Sequence, residues 1–438
     1  MSLCLRIGAV CMTLVAAGFL FLADPARGEV LTLADCLALA QERSLSVLGA
    51  EADVEAAQHR LKAVRAAFYP VVSTSYGYAM VQPVQTMDLG FTEMSLSERD
   101  NFAWSLSVGQ PIFTGFALSA AKKLEELSLE IGQSAVDLAR LDLALKVKGA
   151  YFNVLLAEKG RVVAQQAVQL LEAQVETAQS FFEVGLIPKN DLLQVQVQLA
   201  DRRLTLTTAK GGQLLAKAAL NTLLRRPVEA ELSVEDILEV DPIRPDFQTS
   251  LDLALRRRPE VKQALKAIEA AEETVRLARA DLYPDAALQA SYERSSPGLF
   301  TNLFDDSSDY ETTTISLGLS WDLWTWGKVR HEVSAKKAGI IKARYTLDQV
   351  KDLIALEIKE ALLNLASAEE KIEVVRLAVL QAEEGFRMSE ERFKEQVTTS
   401  TEVLDAQTSL TNAQRNYYAT LYGYHLAMSA FKRALGER

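Results

Sequence analysis

The sequence predicts a mainly α-helical chain, two copies of one plan in which long coiled-coil hairpins carry a small membrane β-barrel portion. Three observations predict it. Two long proline-free windows hold apolar residues at heptad spacing, four short segments alternate with period two, and both features recur in each half of the chain.

The duplication comes first, because it organises the rest. Tyr151-Phe152-Asn153 and Leu362-Leu363-Asn364 stand 211 positions apart, and the same offset pairs Phe182 with Phe393, Asp191 with Glu402, Gln196 with Gln407 and Leu224 with Leu435. Earlier in each copy, Phe68-Tyr69-Pro70 matches Leu282-Tyr283-Pro284 at an offset of 214. A unit of roughly two hundred residues is too long for a solenoid repeat, so the chain is a tandem pair.

Each copy is then read in order. The first, 29–230, is expected to hold a helix over 32–67, strands near 70–80 and 102–113, a long helix over 118–186 and a helix over 190–226. The second, 231–438, repeats this as a helix over 249–281, strands near 285–294 and 312–324, a long helix over 328–396 and a helix over 399–436. The long helices rest on proline, which costs a helix interior ~3 kcal/mol. None occurs between Pro111 and Pro188, and none after Pro297. Leu127, Ile131, Leu138, Leu141, Leu145, Phe152 and Leu155 hold a seven-residue phase in one window, and Leu347, Ile354, Ile358, Leu365 and Ile372 in the other. Each window has room for ~65 helical residues, roughly 100 Å of helix. A soluble coiled coil would show the same helices.

The strands separate the two cases. Trp104, Leu106, Val108 and Ile112 alternate with Ser105, Ser107 and Gly109, and Ile315, Leu317, Leu319, Trp321 and Leu323 with Ser316, Gly318, Ser320 and Asp322. Val72, Thr74, Tyr76 and Tyr78 alternate with Ser73, Ser75 and Gly77, and Leu288, Ala290 and Tyr292 with Gln289 and Ser291. One apolar and one small polar face is the pattern of a barrel strand between lipid and an aqueous lumen. Tyr76, Tyr78, Trp104, Leu106, Leu317 and Trp321 are the expected lipid-facing residues. All 4 tryptophans (Trp104, Trp321, Trp324, Trp326) fall in or just after these segments, as an interfacial aromatic belt would place them. Four strands cannot close a barrel, and an open edge cannot face lipid, so two, three or four chains must share one.

The N-terminus points to export. Arg6 precedes an apolar run from Ile7 to Leu22, and Ala26-Arg27-Gly28 offers small residues at a cleavable spacing, so residues 1–28 read as a signal peptide. An uncleaved anchor is the competing reading. Cleavage would leave Cys36 alone, without an internal disulfide. The net charge of −11 argues against a nucleic-acid partner.

Along nearly its whole mature length the chain resembles the TolC-like outer-membrane efflux family. The resemblance is carried by Phe182-x-x-Gly185-Leu186 leading into Asp191-Leu192-Leu193-x-x-Gln196, and by Glu402-Val403-Leu404-Asp405-Ala406-Gln407. The closing Ala434-Leu435-Gly436, the Tyr-Pro elements and Ile112-Phe113-x-Gly115 also match. It implies a homotrimer with a twelve-stranded outer-membrane barrel, a periplasmic α-barrel of twelve helices, and a passive duct. It also implies docking to a periplasmic adaptor and an inner-membrane transporter, and no cofactor. The departures lie at one turn: Gln396 stands where the first copy has Gly185. Phe393 and Thr398 stand where the family's best-studied members use a tyrosine and an arginine to hold the entrance shut.

The turns Gly185-Leu186-Ile187 and Gln396-Val397-Thr398 are exposed connections suited to meeting a partner's helical hairpin. Glu402 and Asp405, three apart on one helix face just after a turn, would place a ring of carboxylates at the tunnel mouth when repeated around an oligomer. A capping box, Thr399-x-x-Glu402, is the structural alternative for Glu402. No catalytic or metal-binding constellation is expected. His59, His331 and His425 stand far apart, and Gly211-Gly212 lacks the lysine and strand of a phosphate loop.

Overall fold

The computed structural model describes residues 30–83, 86–88, 90–91, 93–95, 99–296 and 310–437. The expected signal peptide, 1–28, lies outside the described residues. The order is β1 (Val30–Leu31), α1 (Leu33–Arg43), α2 (Leu45–Ala66), β2 (Val71–Met80), β3 (Thr86–Asp88), β4 (Glu93–Ser95), β5 (Asp100–Thr114), α3 (Ala117–Glu183) and α4 (Lys189–Leu223). It continues with β6 (Ser233–Val234), α5 (Phe247–Arg257), α6 (Pro259–Arg279), a 3-10 turn (Ala280–Leu282), β7 (Asp285–Ser296), β8 (Tyr310–Ser320), α7 (Lys328–Lys394) and α8 (Ser400–Ala434). The long helices α3 and α7 are each 67 residues, and α4 and α8 are each 35.

Several expectations need correction. The single helices expected over 32–67 and 249–281 are each broken in two, at Ser44 and at Arg258, where the backbone is extended. Arg258 precedes Pro259, and the proline ring excludes helical geometry from the residue before it, a signal present in the sequence. Ser44 has no proline after it, yet it breaks its helix 214 positions earlier with nearly the same dihedrals. The strand expected over 312–324 ends at Ser320, so Trp321, Trp324 and Trp326 follow it in the connection to α7. Two features had no sequence signal strong enough to read: the β3–β4 hairpin and the parallel pair β1–β6.

The chain divides into two compact units, and α3, α7 and α8 contribute residues to both. One gathers the described residues of 1–42, 147–241 and 372–422, including the turns after α3 and α7. Its core beside the first turn is Leu171, Ala178, Leu192, Val195 and Leu404, with Phe182 and Ile187 packed against it. The β1–β6 pair is fastened by tyrosines: the Tyr151 hydroxyl donates to the Glu235 carbonyl at 2.6 Å, and the Tyr422 hydroxyl to Asp236 at 2.8 Å. Burial, reinforced by that bond to Asp236, pushes the Tyr422 phenol above its ordinary pKa. Cys36 is fully buried in this unit, and burial pushes its thiol up to about 11, so it is an inert packing residue.

The other unit gathers 43–146, 242–371 and 423–438 and contains the four-stranded sheet. Its helical part holds a cluster of two arginines and three carboxylates. Arg258, 4% exposed, donates to Glu357 at 2.5 Å and twice to Glu260. Arg433 donates to Asp142 at 2.9 Å and to Glu357 at 2.5 Å. Burial alone would raise the Glu260 pKa, but the hydrogen bonds from Arg258 outweigh it and hold the carboxyl below its usual value. The cluster satisfies the charges exposed by the break at Arg258 and ties α5–α6 to α3, α7 and α8.

The duplication extends to backbone conformations that side chains dislike. Positive φ occurs at Gly115 and Phe116 before α3, and at Trp326 and Gly327 before α7, each pair 211 positions from its mate. It recurs at Gly185 and Gln396 after α3 and α7, and at Arg225 and Gly436 after α4 and α8, again at 211. In all four matched pairs one copy carries glycine and the other a bulkier residue. A left-handed non-glycine residue costs about 1–2 kcal/mol. The bulkier member is therefore strained, and the repeat geometry overrides local preference.

Candidate channel wall and entrance

The sheet runs in the order β2-β5-β7-β8, antiparallel throughout. Residues directly opposite each other in such a sheet share a face. Tyr76 faces Trp104, Thr74 faces Leu106, Leu106 faces Tyr292, and Leu288 faces Leu317. The expected lipid-facing residues of the four strands thus fall on one face, and that face is uncovered: Tyr76, Tyr78, Leu317 and Leu319 are all more than half exposed. Trp104 contributes its ring there while its indole N–H donates to Thr74 Oγ1 at 3.0 Å. The opposite face carries Ser73, Ser75, Ser105, Ser107, Ser291 and Ser316. Its hydroxyls pair across strands, Ser73 with Ser107 at 2.7 Å and Ser75 with Ser105 at 2.8 Å.

The alternation of β5 slips once. Pro111 pairs with Ala287 and Phe113 with Ala286, which leaves Ile112 as the extra residue of a bulge. Below the bulge an aromatic cluster closes the junction with the helices. Phe116 meets Phe113 and Tyr283 edge-on at 5.3 and 5.7 Å, and the Trp321 indole donates to the Leu282 carbonyl at 3.2 Å. Trp324 and Trp326 lie 75% and 87% exposed, edge to face with each other at 5.9 Å. These aromatics sit just past the last strand, where a membrane–water boundary would put them.

The two turns have one shape. After α3 the Leu186 N–H donates to the Phe181 carbonyl at 2.8 Å and Gly185 N–H to Phe182 at 3.0 Å. After α7 the Val397 N–H donates to Arg392 at 2.8 Å and Gln396 N–H to Phe393 at 3.0 Å. Both are Schellman caps, so the departure from glycine at Gln396 leaves the turn intact and strained. Gln396→Gly is therefore expected to raise the stability of the detergent-extracted protein by about 1 kcal/mol, and Gly185→Gln to lower it by a similar amount, read as opposite shifts in Tm. Leu186 and Val397 are exposed at the tips, 50% and 67%, whereas Ile187 and Thr398 are half-buried.

Phe393 offers no hydroxyl and is buried against Phe181, ring centroids 5.5 Å apart. Thr398 donates its hydroxyl to Glu402 Oε2, and Arg392 donates to Glu402 Oε1 at 2.8 Å. No Thr399–Glu402 capping bond, the structural alternative, occurs among the described residues; Glu402 is held by these two side chains instead. Asp405 is exposed and carries no ion pair among the described residues. Sequence reasoning missed Arg392. Antiparallel hairpin partners have a constant index sum, and 392 and 402 lie symmetrically about the Val397 tip, so the pairing was readable once the turn was placed.

Other chemistry adds little. No metal-competent group of His, Cys, Asp and Glu occurs among the described residues, and no helix there is long and apolar enough to cross a membrane. Gly211 and Gly212 lie inside α4 with no strand before them. Comparison with known proteins agrees with this geometry. The chain is 25% identical over 408 residues to the alkaline protease secretion protein AprF of Pseudomonas aeruginosa, covering 92% of this chain and 84% of that one. It is 23% identical over 394 residues to the outer membrane protein TolC of Escherichia coli, covering 88% and 78%. The fold matches the crystal structure of the Campylobacter jejuni CmeC outer membrane channel with a TM-score of 0.79 at 16% identity, over 92% of this chain and 85% of that one. The Outer membrane efflux protein family model matches residues 36–224 and 250–437, one match per repeat. A periplasmic scaffold without a membrane channel is set aside by that match: the chain belongs to the outer membrane efflux protein family, as a channel of the outer membrane that extends into the periplasm.

Proposed function

We propose that three copies of the chain form one passive exit duct, a twelve-stranded barrel in the outer membrane continued by a helical tunnel in the periplasm. The observation that carries this is the sheet itself: four strands, one exposed and mainly apolar face, one small polar face and two edges, β2 and β8, unpaired among the described residues. Neither edge can face lipid unpaired. Within the sheet the strands alternate in direction, so β8 of one copy meets β2 of the next in antiparallel sense, and closure needs no other element. Two copies would give eight strands, whose interior side chains fill. Three give twelve and leave a lumen walled by serines.

The helices support the same assembly. α7 exposes Leu356 and Leu363 one heptad apart, each more than half exposed. An apolar stripe of this kind is the seam of a helix with a neighbour still to come. The turns Gly185-Leu186-Ile187 and Gln396-Val397-Thr398 would receive a periplasmic adaptor that links the duct to an inner-membrane transporter. Glu402 and Asp405, one turn further on, would line the mouth. The protein is expected to fractionate with the outer membrane and to elute from detergent as a particle containing three chains by native mass spectrometry. Recovery as a soluble periplasmic monomer would contradict the assembly.

A further inference from the structure

We propose that Arg392 sets the charge of the tunnel mouth by cancelling Glu402, so that of the two acids Glu402 and Asp405 only Asp405 is left uncompensated in each copy. This rests on the reading that Glu402 and Asp405 line the mouth. The geometry is direct: the Arg392 guanidinium donates to Glu402 Oε1 at 2.8 Å, and the Thr398 hydroxyl occupies Oε2. Both carboxylate oxygens of Glu402 are thereby engaged within the chain. The other cations of the last two turns of α7 are used elsewhere, Arg387 on Glu384 and Glu391, and Lys394 on Glu390. Asp405 makes no ion pair among the described residues.

The duplication supplies a control within the same molecule. At the offset of 211, Phe181 stands for Arg392, Ile187 for Thr398, Asp191 for Glu402 and Gln194 for Asp405. The first turn makes the same backbone bonds as the second, with an aromatic ring where the second has its guanidinium. The Schellman turn therefore needs neither the ion pair nor the second acid. Exposed pairs of this kind also add little to stability, so holding the hairpin together is a weak reason for keeping Arg392. What the pair changes is charge: it removes one negative unit per copy where several copies converge. In a narrow passage those charges lie within a Debye length of one another and of a passing ion.

The inference is tested by cation block in planar bilayers, with hexaamminecobalt(III) added from the periplasmic side as the probe. Arg392→Gln should lower the half-blocking concentration by roughly tenfold, as an added unit charge per copy facing a trivalent ion would. Arg392→Lys should behave as the parent protein. Glu402→Gln, which leaves Arg392 uncompensated, should weaken block as Asp405→Asn does, and the double variant Arg392→Gln/Glu402→Gln should return to the parent value. That rank order follows net charge, and a purely mechanical clasp would not produce it. If Arg392→Gln and Glu402→Gln leave block unchanged while Asp405→Asn abolishes it, the role of Arg392 is wrong and the mouth is correctly placed. If Asp405→Asn also leaves block unchanged, the mouth lies elsewhere and both statements fall. Should Arg392→Gln fail to assemble, Glu402→Gln removes the same pair from its other side, and unchanged block there overturns the inference.

Discussion

Leu317→Arg is expected to abolish assembly in the outer membrane, whereas Ser316→Arg, one residue away, is expected to be tolerated. Leu317 is 72% exposed on the face it shares with Leu106, Tyr76 and Leu288, and no described residue covers it. A cation on the lipid side of a barrel strand costs ~2–4 kcal/mol near the bilayer midplane, and the cost recurs in every copy of a shared barrel. Ser316 lies opposite Gln289 on the hydroxyl-lined face, where a guanidinium meets water. Leu106→Arg and Ser107→Arg should repeat the contrast on β5. The check is the amount of heat-resistant oligomer in outer-membrane fractions. A reversed contrast would mean that the two faces have been exchanged, and equal loss from all four substitutions that the sheet does not meet lipid.

Gly115→Ala is expected to be nearly as damaging, for a reason inside the chain. Gly115 has φ +55, and a Cβ built on it would lie 2.3 Å from the Ala280 carbonyl oxygen, which is backbone and cannot rotate away. Left-handed strain costs about 1–2 kcal/mol, and overpacking a filled site typically adds ~1–3 kcal/mol. The bulge at Ile112, the Phe113–Phe116–Tyr283 cluster and the start of α3 all meet at this point, so a shift there misaligns strand and helix together. Gly327 is the control. It has φ +83 before α7, but its nearest neighbour is the His331 ring at 3.6 Å, so Gly327→Ala carries the conformational strain without the overlap. A drop in apparent Tm clearly larger for Gly115→Ala than for Gly327→Ala is the expected result. Equal drops would show that backbone strain alone decides.

Much of the fold was legible because its signals are long and repeated. Heptad spacing over a proline-free window locates α3 and α7, and most residues in phase are buried: Leu127, Leu141, Phe152 and Leu155 on one, Leu347, Ile354, Ile358 and Leu365 on the other, whereas Ile131, Leu138, Leu145 and Ile372 are half-buried. Period-two alternation identified which face each strand turns to its neighbour, since the observed register puts the apolar members side by side. What escaped was local. A helix break at Ser44 has no proline to announce it, and β1–β6 pairs only two residues on each strand across some two hundred positions of sequence. At the turns, Gln396 departs from the glycine of the first copy, yet hydrogen bonding around Phe393 and Val397 holds this non-glycine residue in the glycine geometry. The partner of Glu402 was hidden for a different reason. Sequence places acids three apart on one helix, but a cation ten positions upstream joins them only once the hairpin closes.

Conductance of the purified protein in planar lipid bilayers tests the channel most directly. Three copies sharing one barrel, as proposed, should insert as a unit and give discrete, long-lived steps, with potassium favoured over chloride where Asp405 lines the proposed mouth. Protein that inserts and gives no steps above the lipid baseline, or only graded leakage without a unit conductance, would contradict a closed barrel and with it the exit duct.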